Sequence, residues 1–265
     1  MKIVIIGAGN VGTNLQHAFE LKHINAQLIS SYLTVEGKWQ NAEGEMLANE
    51  GQLPTADVYI YTVADKGLAE VAAKVNAPRA LHLHTSGTMP ISVFGDDKPH
   101  AGVLYFFQSF SKAQLIDDWS GIPCFIEGRN IDDIAAIYSL AQVLTSRIYE
   151  ANQHDRERLH IAGVFANNYT NLMYQMAAEV LKGTQIPFQA LLPLIDQTAA
   201  KVHSLSPQEA QTGPAIRGDK EVIKHHLELL REQNQGAFSS EELASVYQAL
   251  SALIEKEHNC PDQTI

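Results

Sequence analysis

Short apolar runs alternate with stretches of helical period along the first part of the chain. The runs are rich in β-branched and aromatic residues, which suit a buried, pleated backbone. They predict strands at 2–6, 26–30, 57–63, 79–84, 102–107, 123–127 and 147–150. Helices are predicted between them at 11–21, 68–75 and 130–144, the last with Asn130 as its N-cap. This alternation predicts an α/β fold whose sheet is mostly parallel and covered on both faces.

The hydrophobic pattern changes near residue 150, where strand-like runs stop and longer helical periods begin. Helices are predicted at 155–182, 187–203, 219–232 and from Ser239 onwards. Gly183 is predicted to close the first of these helices, and Glu242 completes a capping box at the last. We therefore expect two domains, an α/β domain at 1–150 and an all-α domain at 151–265.

A glycine-rich turn joins the first predicted strand to the first predicted helix. The residues of this G-x-G-x-x-G pattern are Gly7, Ala8, Gly9, Asn10, Val11 and Gly12. The first glycine allows a tight turn, the second lets the backbone approach a diphosphate, and the third allows close helix–strand packing. The pattern in this context predicts a Rossmann-type dinucleotide site. The alternative is a tight turn that binds nothing.

The second predicted strand bears on which dinucleotide is bound. An acidic residue about 20 positions after the turn would hold the ribose hydroxyls of NAD, but this strand ends at Ser30 and Ser31. Their hydroxyls can accommodate a 2′-phosphate, which favours NADP and leaves NAD possible. Alternatively, both serines only begin a loop. The backbone at Val63 and Ala64, where the third strand ends, is predicted to pass alongside the adenosine or its ribose.

Two further strand ends carry polar residues. Ligands of open parallel sheets bind beyond the carboxyl ends of the strands. The fourth strand leads into His84, Thr85, Ser86 and Gly87, a predicted cradle for a substrate carboxylate or oxyanion. Gln108 follows the fifth strand and is predicted to face the same crevice. The alternative is that these groups are structural and only satisfy one another's hydrogen bonds.

The long predicted helix carries polar residues among its apolar ones. At about 100° per residue, one narrow stripe contains Arg156, His160, Asn167, Asn171 and Tyr174. His160 is the candidate for proton transfer, since histidine suits general acid–base chemistry near neutral pH. Asn168 and Asn171 are predicted to orient the substrate, and Asn167 to bind it. Alternatively, the stripe forms a polar helix–helix interface, including one across a dimer.

One arginine stands in a segment rich in glycine. Arg217 lies between Gly213 and Gly218, in the connection between two predicted helices. A guanidinium can bind a carboxylate or phosphate through two parallel hydrogen bonds. Arg217 is therefore predicted to bind the substrate, and Asp219 to cap the helix that follows.

The overall composition restricts the class of partner. A formal net charge of -11 disfavours nucleic acid and anionic membranes, and no apolar run approaches the roughly 18 residues of a membrane span. Cys124 and Cys260 are too few for a disulfide framework and lack metal-type spacing, so no metal is predicted. These features favour a cytoplasmic protein that acts on a small molecule.

Several sequence segments together resemble a known family. They are GAGNVG at 7–12, HTSG at 84–87, FFQSFSK at 106–112, HIAGVFANNYTN at 160–171 and GPAIRGD at 213–219. The chain resembles bacterial Rossmann-like proteins that carry a C-terminal DUF2520 domain and are labelled NADP-dependent or F420-dependent oxidoreductases. Their wider relatives are β-hydroxyacid dehydrogenases, ketopantoate reductases and pyrroline-5-carboxylate reductases. The resemblance implies an NADP cofactor, with F420 suggested only by the label, and a homodimer formed through the helical domain.

The chain departs from these relatives at one catalytic position. The hydroxyacid enzymes use a Lys-x-x-x-Asn motif, but Val164 and Asn167 stand four residues before Asn168 and Asn171. His160 is therefore the candidate replacement for the missing lysine. We expect an oxidoreductase that transfers hydride between nicotinamide and a small carbonyl, imine or hydroxyacid in an interdomain cleft. The alternative is a non-catalytic NADP(H)-binding redox sensor or an interaction module.

Overall fold

The computed structural model describes residues 1–33, 37–47, 51–232 and 236–258, without the side chains of residues 31–33. The chain divides into two compact units, Met1–Val164 and Phe165–Ile265. The described part of the first unit contains one eight-stranded sheet. Its strands are β1 Ile3–Ile6, β2 Ala26–Leu33, β3 Trp39–Asn41, β4 Val58–Tyr61, β5 Leu81–His84, β6 Ala101–Phe106, β7 Cys124–Gly128 and β8 Ile148–Glu150.

The strand order of the sheet is β3-β2-β1-β4-β5-β6-β7-β8. The five strands from β2 to β6 in this order are parallel, whereas β3 and β7 run antiparallel to β2 and β6. β8 is parallel to β7. The carboxyl ends of β1, β4, β5 and β6 therefore meet at one edge of the sheet. The predicted Rossmann-type, mostly parallel sheet is confirmed.

Helices cover both faces of this sheet. They are α1 Asn10–Leu21, α2 Asp65–Ala73, α3 Ile131–Gln142 and α4 Gln153–Gly163. Ile3 and Ile5 pack with the buried residues of α1 and α3, while Val4 and Ile6 pack with those of α2. This alternation follows from the period of two along a strand. The Asn130 side chain accepts a hydrogen bond from the amide of Asp133, so the predicted N-cap is present.

The described part of the second unit is helical apart from turns and connections. Its helices are α5 Thr170–Val180, α6 Leu192–Lys201, α7 Pro207–Ala210, α8 Lys220–Glu232 and α9 Ser240–His258. Ser239 and Glu242 exchange the two hydrogen bonds of the predicted capping box. The predicted all-α region is therefore confirmed. None of the described helices is both long and apolar enough to cross a membrane.

The predicted helix at 155–182 is not one regular α-helix. α4 ends at Gly163, a π-helical segment spans Val164–Tyr169, and α5 follows. A π-helix closes i→i+5 hydrogen bonds, so its turns contain more residues than α-helical turns. The constant angular step behind the stripe from Arg156 to Tyr174 does not hold across this segment, and the prediction of one narrow stripe is wrong. The two units divide at Val164, and the domain boundary near residue 150 stays a prediction.

Candidate functional site

The turn between β1 and α1 requires two of its glycines. Gly7 has a φ of 121°, and a Cβ there would lie 2.8 Å from the carbonyl carbon of Thr62. A Cβ on Gly12 would lie 2.0 Å from the Gly7 oxygen. The Thr62 hydroxyl donates a hydrogen bond to the same oxygen at 2.6 Å. The Gly7 amide donates to Ile29. The turn is therefore packed tightly against β2 and the end of β4.

The third glycine faces open space. A Cβ added to Gly9 would meet only the Thr62 oxygen, at 4.0 Å. Gly9 is the N-cap of α1, where no side chain caps the helix and the first turn contains no acidic residue. The free amides and positive end of the helix dipole at such a terminus favour phosphate. The residues present therefore fit the diphosphate of a dinucleotide, with Ala8, Asn10 and Val11 completing the predicted turn.

A buried asparagine joins this turn to the loop after β6. The Asn14 amide donates to the carbonyls of Asn10 and Ser111, both at 2.9 Å, and accepts from the amide of Ile116 at 3.1 Å. The Asn10 side chain accepts from the amide of Lys112 at 3.2 Å. This loop therefore lies beside the glycine turn. Sequence reasoning missed Asn14, although an asparagine on the apolar side of a predicted helix was a usable signal.

The remaining cofactor candidates lie at the same sheet edge. Ser30 is buried in β2, and the Ser31 side chain lies outside the described residues. Val63 and Ala64 connect β4 to α2, with Ala64 as the N-cap of that helix. The backbone at these two positions is thus placed where sequence reasoning expected it, while their contact with adenosine stays a prediction.

The loop after β5 satisfies most of its own polar groups. The buried His84 ring accepts a hydrogen bond at Nδ1 from the amide of Ser86. The Ser86 hydroxyl accepts from the amides of Thr88 and Met89, both at 3.1 Å. The Thr85 hydroxyl donates to the Tyr61 carbonyl at 3.3 Å. These bonds give the loop a defined shape, and a direct role of His84, Thr85, Ser86 and Gly87 in substrate binding stays a prediction.

His84 is electrically neutral at neutral pH. Burial lowers its pKa to about 4, because the charged imidazolium would lose its hydration, and the positive charge of Arg156 acts in the same direction. The ring lies 5.7 Å from that of Phe94, between centroids. His84 therefore fixes the loop through the hydrogen bond from Ser86, and its side chain has no surface exposed to a ligand.

Tyr105 links the loop after β5 to His160. Its Oη lies 3.3 Å from Nδ1 of His160 on α4, and a Cβ added to Gly87 would lie 2.9 Å from its Cζ. Burial raises the pKa of Tyr105 to about 12, because the phenolate would be desolvated. The structure thus brings the predicted proton-transfer residue next to the predicted substrate loop. Sequence reasoning missed Tyr105, although its position near the end of the fifth predicted strand pointed to this edge.

Arg156 fixes the start of α4. Its side chain is fully buried and forms an ion pair with Glu127 on β7. It also donates to the carbonyls of Met89 at 2.9 Å and Ala151 at 3.0 Å. Arg156 therefore joins the loop after β5, the sheet and α4, and it is not available to a ligand.

The predicted substrate residues of the second unit are all exposed. Asn167 and Asn168 lie in the π-helical segment and Asn171 lies in α5. Arg217 is paired with Asp219 at 3.3 Å. In the first unit, Gln108 is also exposed, and its side chain accepts from the amide of Ser109. Substrate roles for these five positions stay predictions.

An α/β unit with a glycine turn at the first βα junction, followed by a helical unit, defines a Rossmann-type nucleotide-binding protein. The family model described as a domain of unknown function, DUF2520, matches residues 122–254. The chain belongs to this family, as the sequence motifs implied. No curated protein matches the chain.

Solved structures of the same architecture include one with substantial sequence identity. A candidate NADP oxidoreductase of Bacteroides fragilis is 38% identical, with 96% of this chain and 98% of that chain covered and a TM-score of 0.83. An imine reductase of Myxococcus stipitatus in complex with NADP⁺ is 15% identical, with 98% and 94% covered and a TM-score of 0.62. A reductive aminase of Aspergillus terreus with NADPH and ethyl levulinate is also 15% identical, with 98% and 94% covered and a TM-score of 0.66.

Proposed function

We propose that this protein is an NADP-dependent oxidoreductase that reduces a small carbonyl or imine, or oxidises the corresponding hydroxyacid, alcohol or amine. The observation that carries the proposal is the open backbone at Gly9, at the uncapped N-terminus of α1. The identity to the Bacteroides fragilis protein supports NADP as the cofactor. The imine reductase and reductive aminase share the fold and were solved with NADP⁺ and NADPH.

In this proposal, different residues at the carboxyl edge of the sheet bind the cofactor, bind the substrate and transfer the proton. The bound cofactor supplies the hydride, and the protein supplies binding, orientation and proton transfer. The glycine turn binds the diphosphate, and the hydroxyls of Ser30 and Ser31 accommodate the 2′-phosphate of NADP. Thr85, Ser86 and Gly87, in the loop after β5, hold the polar end of the substrate. His160, which contacts Tyr105 beside this loop, belongs to the group that transfers the proton.

Removal of His160 tests this assignment. The wild type is expected to bind NADPH more tightly than NADH in a fluorescence titration. It should also oxidise NADPH with ketones or cyclic imines, followed by NADPH absorbance. His160→Ala should lower this turnover by at least about tenfold and leave NADPH affinity unchanged, because general acid–base groups contribute to the chemical step. His154→Ala, an exposed histidine on the same helix, is the matched control.

Each result of this experiment has a distinct meaning. Absence of NADPH binding contradicts the proposed function. NADPH binding without turnover of any substrate favours the sensor, an alternative already suggested by the missing lysine. Turnover that is unchanged in His160→Ala contradicts the role of this residue and leaves the cofactor assignment standing.

A second copy of the chain is the proposed partner of the helical unit. Large apolar side chains there are exposed, including Phe165 at 66%, Leu194 at 65% and Leu253 at 61%. An apolar groove of about 410 Å³ is lined by Ala177, Leu181, Leu191, Leu230 and Tyr247, among others. Exposed apolar surface of this kind marks interfaces. The dimer implied by the family resemblance would cover it.

Sedimentation analysis tests the dimer. The wild type should have twice the mass of the 29.1 kDa chain, whereas Leu194→Glu combined with Leu253→Glu should shift it toward monomer, because burying two charges is costly. Gln248→Glu, on the same helix as Leu253, controls for added charge. A monomeric wild type at micromolar concentration would contradict the dimer.

A further inference from the structure

Tyr105 contacts the loop after β5, helix α4 and the residue that follows β6, all within the first unit. A Cβ added to Gly87 would lie 3.0 Å from its Oη, so the loop after β5 fits closely against the phenol. Oη lies 3.3 Å from Nδ1 of His160. The Phe107 ring packs edge-on against the phenol, with 6.0 Å between centroids. The hydroxyl is therefore held between the predicted substrate loop and α4.

Phe107 anchors α4 at a second point. Gly163 follows His160 by three residues, and a Cβ there would lie 2.7 Å from the Phe107 ring. Residues i and i+2 share a face of a strand, and residues i and i+3 share a face of a helix. Two adjacent contacts therefore join the end of β6 to α4. Tyr105 contacts His160, and Phe107, the residue that follows β6, lies against Gly163. This double contact keeps the imidazole aligned with the phenol.

We propose that Tyr105 donates the proton to the substrate, and that His160 is a positioning residue that aligns its hydroxyl and stabilises the phenolate. The inference rests on the proposed reductase function and refines it, because it separates the donor from its partner. Nδ1 of His160 is directed at Tyr105. Oη, in contrast, lies against Gly87, in the loop proposed to hold the substrate. The phenol therefore lies between this ring nitrogen and the loop proposed to hold the substrate.

The proton balance of the step is complete. In the reductive direction the substrate carbon receives a hydride from the bound cofactor, and the π electrons of the C=O or C=N bond become a lone pair on the heteroatom. This lone pair takes the Tyr105 proton, so the phenol O–H bond breaks and an O–H or N–H bond forms in the product. The phenolate accepts a hydrogen bond from the His160 ring and regains a proton from solvent.

Burial keeps the phenol in its protonated form. Because its pKa is raised to about 12, the hydroxyl carries its proton throughout the neutral pH range. The oxygen or nitrogen that develops negative charge during hydride arrival is a strong enough base to take that proton. Donation therefore occurs only as the reaction proceeds.

A double-mutant cycle tests the donor. Single-turnover oxidation of NADPH is measured with ethyl levulinate and with methylpyrroline as probes. Tyr105→Phe is expected to slow this step by at least about 100-fold, the usual contribution of a general acid, with KM and NADPH affinity unchanged. The double variant with His160→Ala should be no slower than Tyr105→Phe alone, because a positioning residue acts only through the donor. Tyr138→Phe, at an exposed position of α3, is the control.

A second measurement does not depend on turnover. The ¹⁵N resonance of His160 Nδ1 should shift in Tyr105→Phe and stay in place in Tyr138→Phe, because only the former removes its hydrogen-bond partner. An unshifted resonance overturns the pairing, even if no probe reacts. Near-wild-type rates in Tyr105→Phe, or fully additive losses in the cycle, overturn the donor assignment. A wild type that fails to bind NADPH contradicts the proposed function instead.

Discussion

Replacing Gly9 with alanine is expected to lower NADPH affinity by about 100-fold, the loss of roughly 2.7 kcal/mol of binding free energy. The added Cβ has no protein atom nearer than 4.0 Å, so the folded chain accepts it. It would enter the space where the diphosphate approaches the backbone. Charge-assisted hydrogen bonds each contribute about 1.5–3 kcal/mol, so losing one or two accounts for the expected effect. Fluorescence titration with NADPH measures it.

Two other glycines serve as controls for this variant. Gly67→Ala in α2 meets nothing within 4 Å and should leave NADPH affinity unchanged. Gly12→Ala would place its Cβ 2.0 Å from the Gly7 oxygen, so it should reduce both affinity and thermal stability. Of the three variants, only Gly9→Ala should lower NADPH affinity while leaving thermal stability unchanged. Wild-type NADPH affinity in Gly9→Ala would contradict the placement of the cofactor.

The second large effect concerns the ion pair between Arg156 and Glu127. Arg156→Met is expected to lower the free energy of unfolding of the first unit by about 3 kcal/mol, because the buried guanidinium donates to two carbonyls and forms an ion pair with the half-buried Glu127. The variant leaves Glu127, Met89 and Ala151 without the hydrogen bonds that the guanidinium donates. Urea denaturation followed by far-ultraviolet circular dichroism measures the change.

The same helix provides the control. Arg158 is exposed on α4, and Arg158→Met should change the free energy of unfolding by no more than about 0.5 kcal/mol, as is usual at surface positions. Glu127→Gln tests the pair from the other side, because it leaves the buried guanidinium without its counter-charge. If Arg156→Met and Glu127→Gln each change the free energy of unfolding as little as Arg158→Met does, the ion pair contributes little to stability.

The sheet was largely predictable because each strand carries its own signal. The predicted runs at 2–6, 57–63 and 79–84 are followed by turn residues, and the buried strands Ile3–Ile6, Val58–Tyr61 and Leu81–His84 lie within them. β3 was missed because two of its three residues, Gln40 and Asn41, are polar, so Trp39–Asn41 forms no apolar run. The π-helical segment was missed because hydrophobic spacing does not distinguish i→i+4 from i→i+5 hydrogen bonding.

The candidate site was predictable only where it is local in sequence. The glycine turn is a contiguous segment, and its need for Gly7 and Gly12 follows from the βα geometry. The contact between Tyr105 and His160 joins residues 55 positions apart and depends on how α4 packs on β6. His84 shows the opposite problem, since its polar type indicated exposure while its strand position buries it.

Asn14 restricts how this protein can change during evolution. Its amide uses both hydrogens and its oxygen at once, on Asn10, Ser111 and Ile116. Aspartate offers no hydrogens at this position, and leucine offers neither hydrogens nor an acceptor. Insertions or deletions between Ser111 and Ile116 would separate two atoms that one short side chain must reach together. The length of this loop and the identity of residue 14 therefore constrain each other.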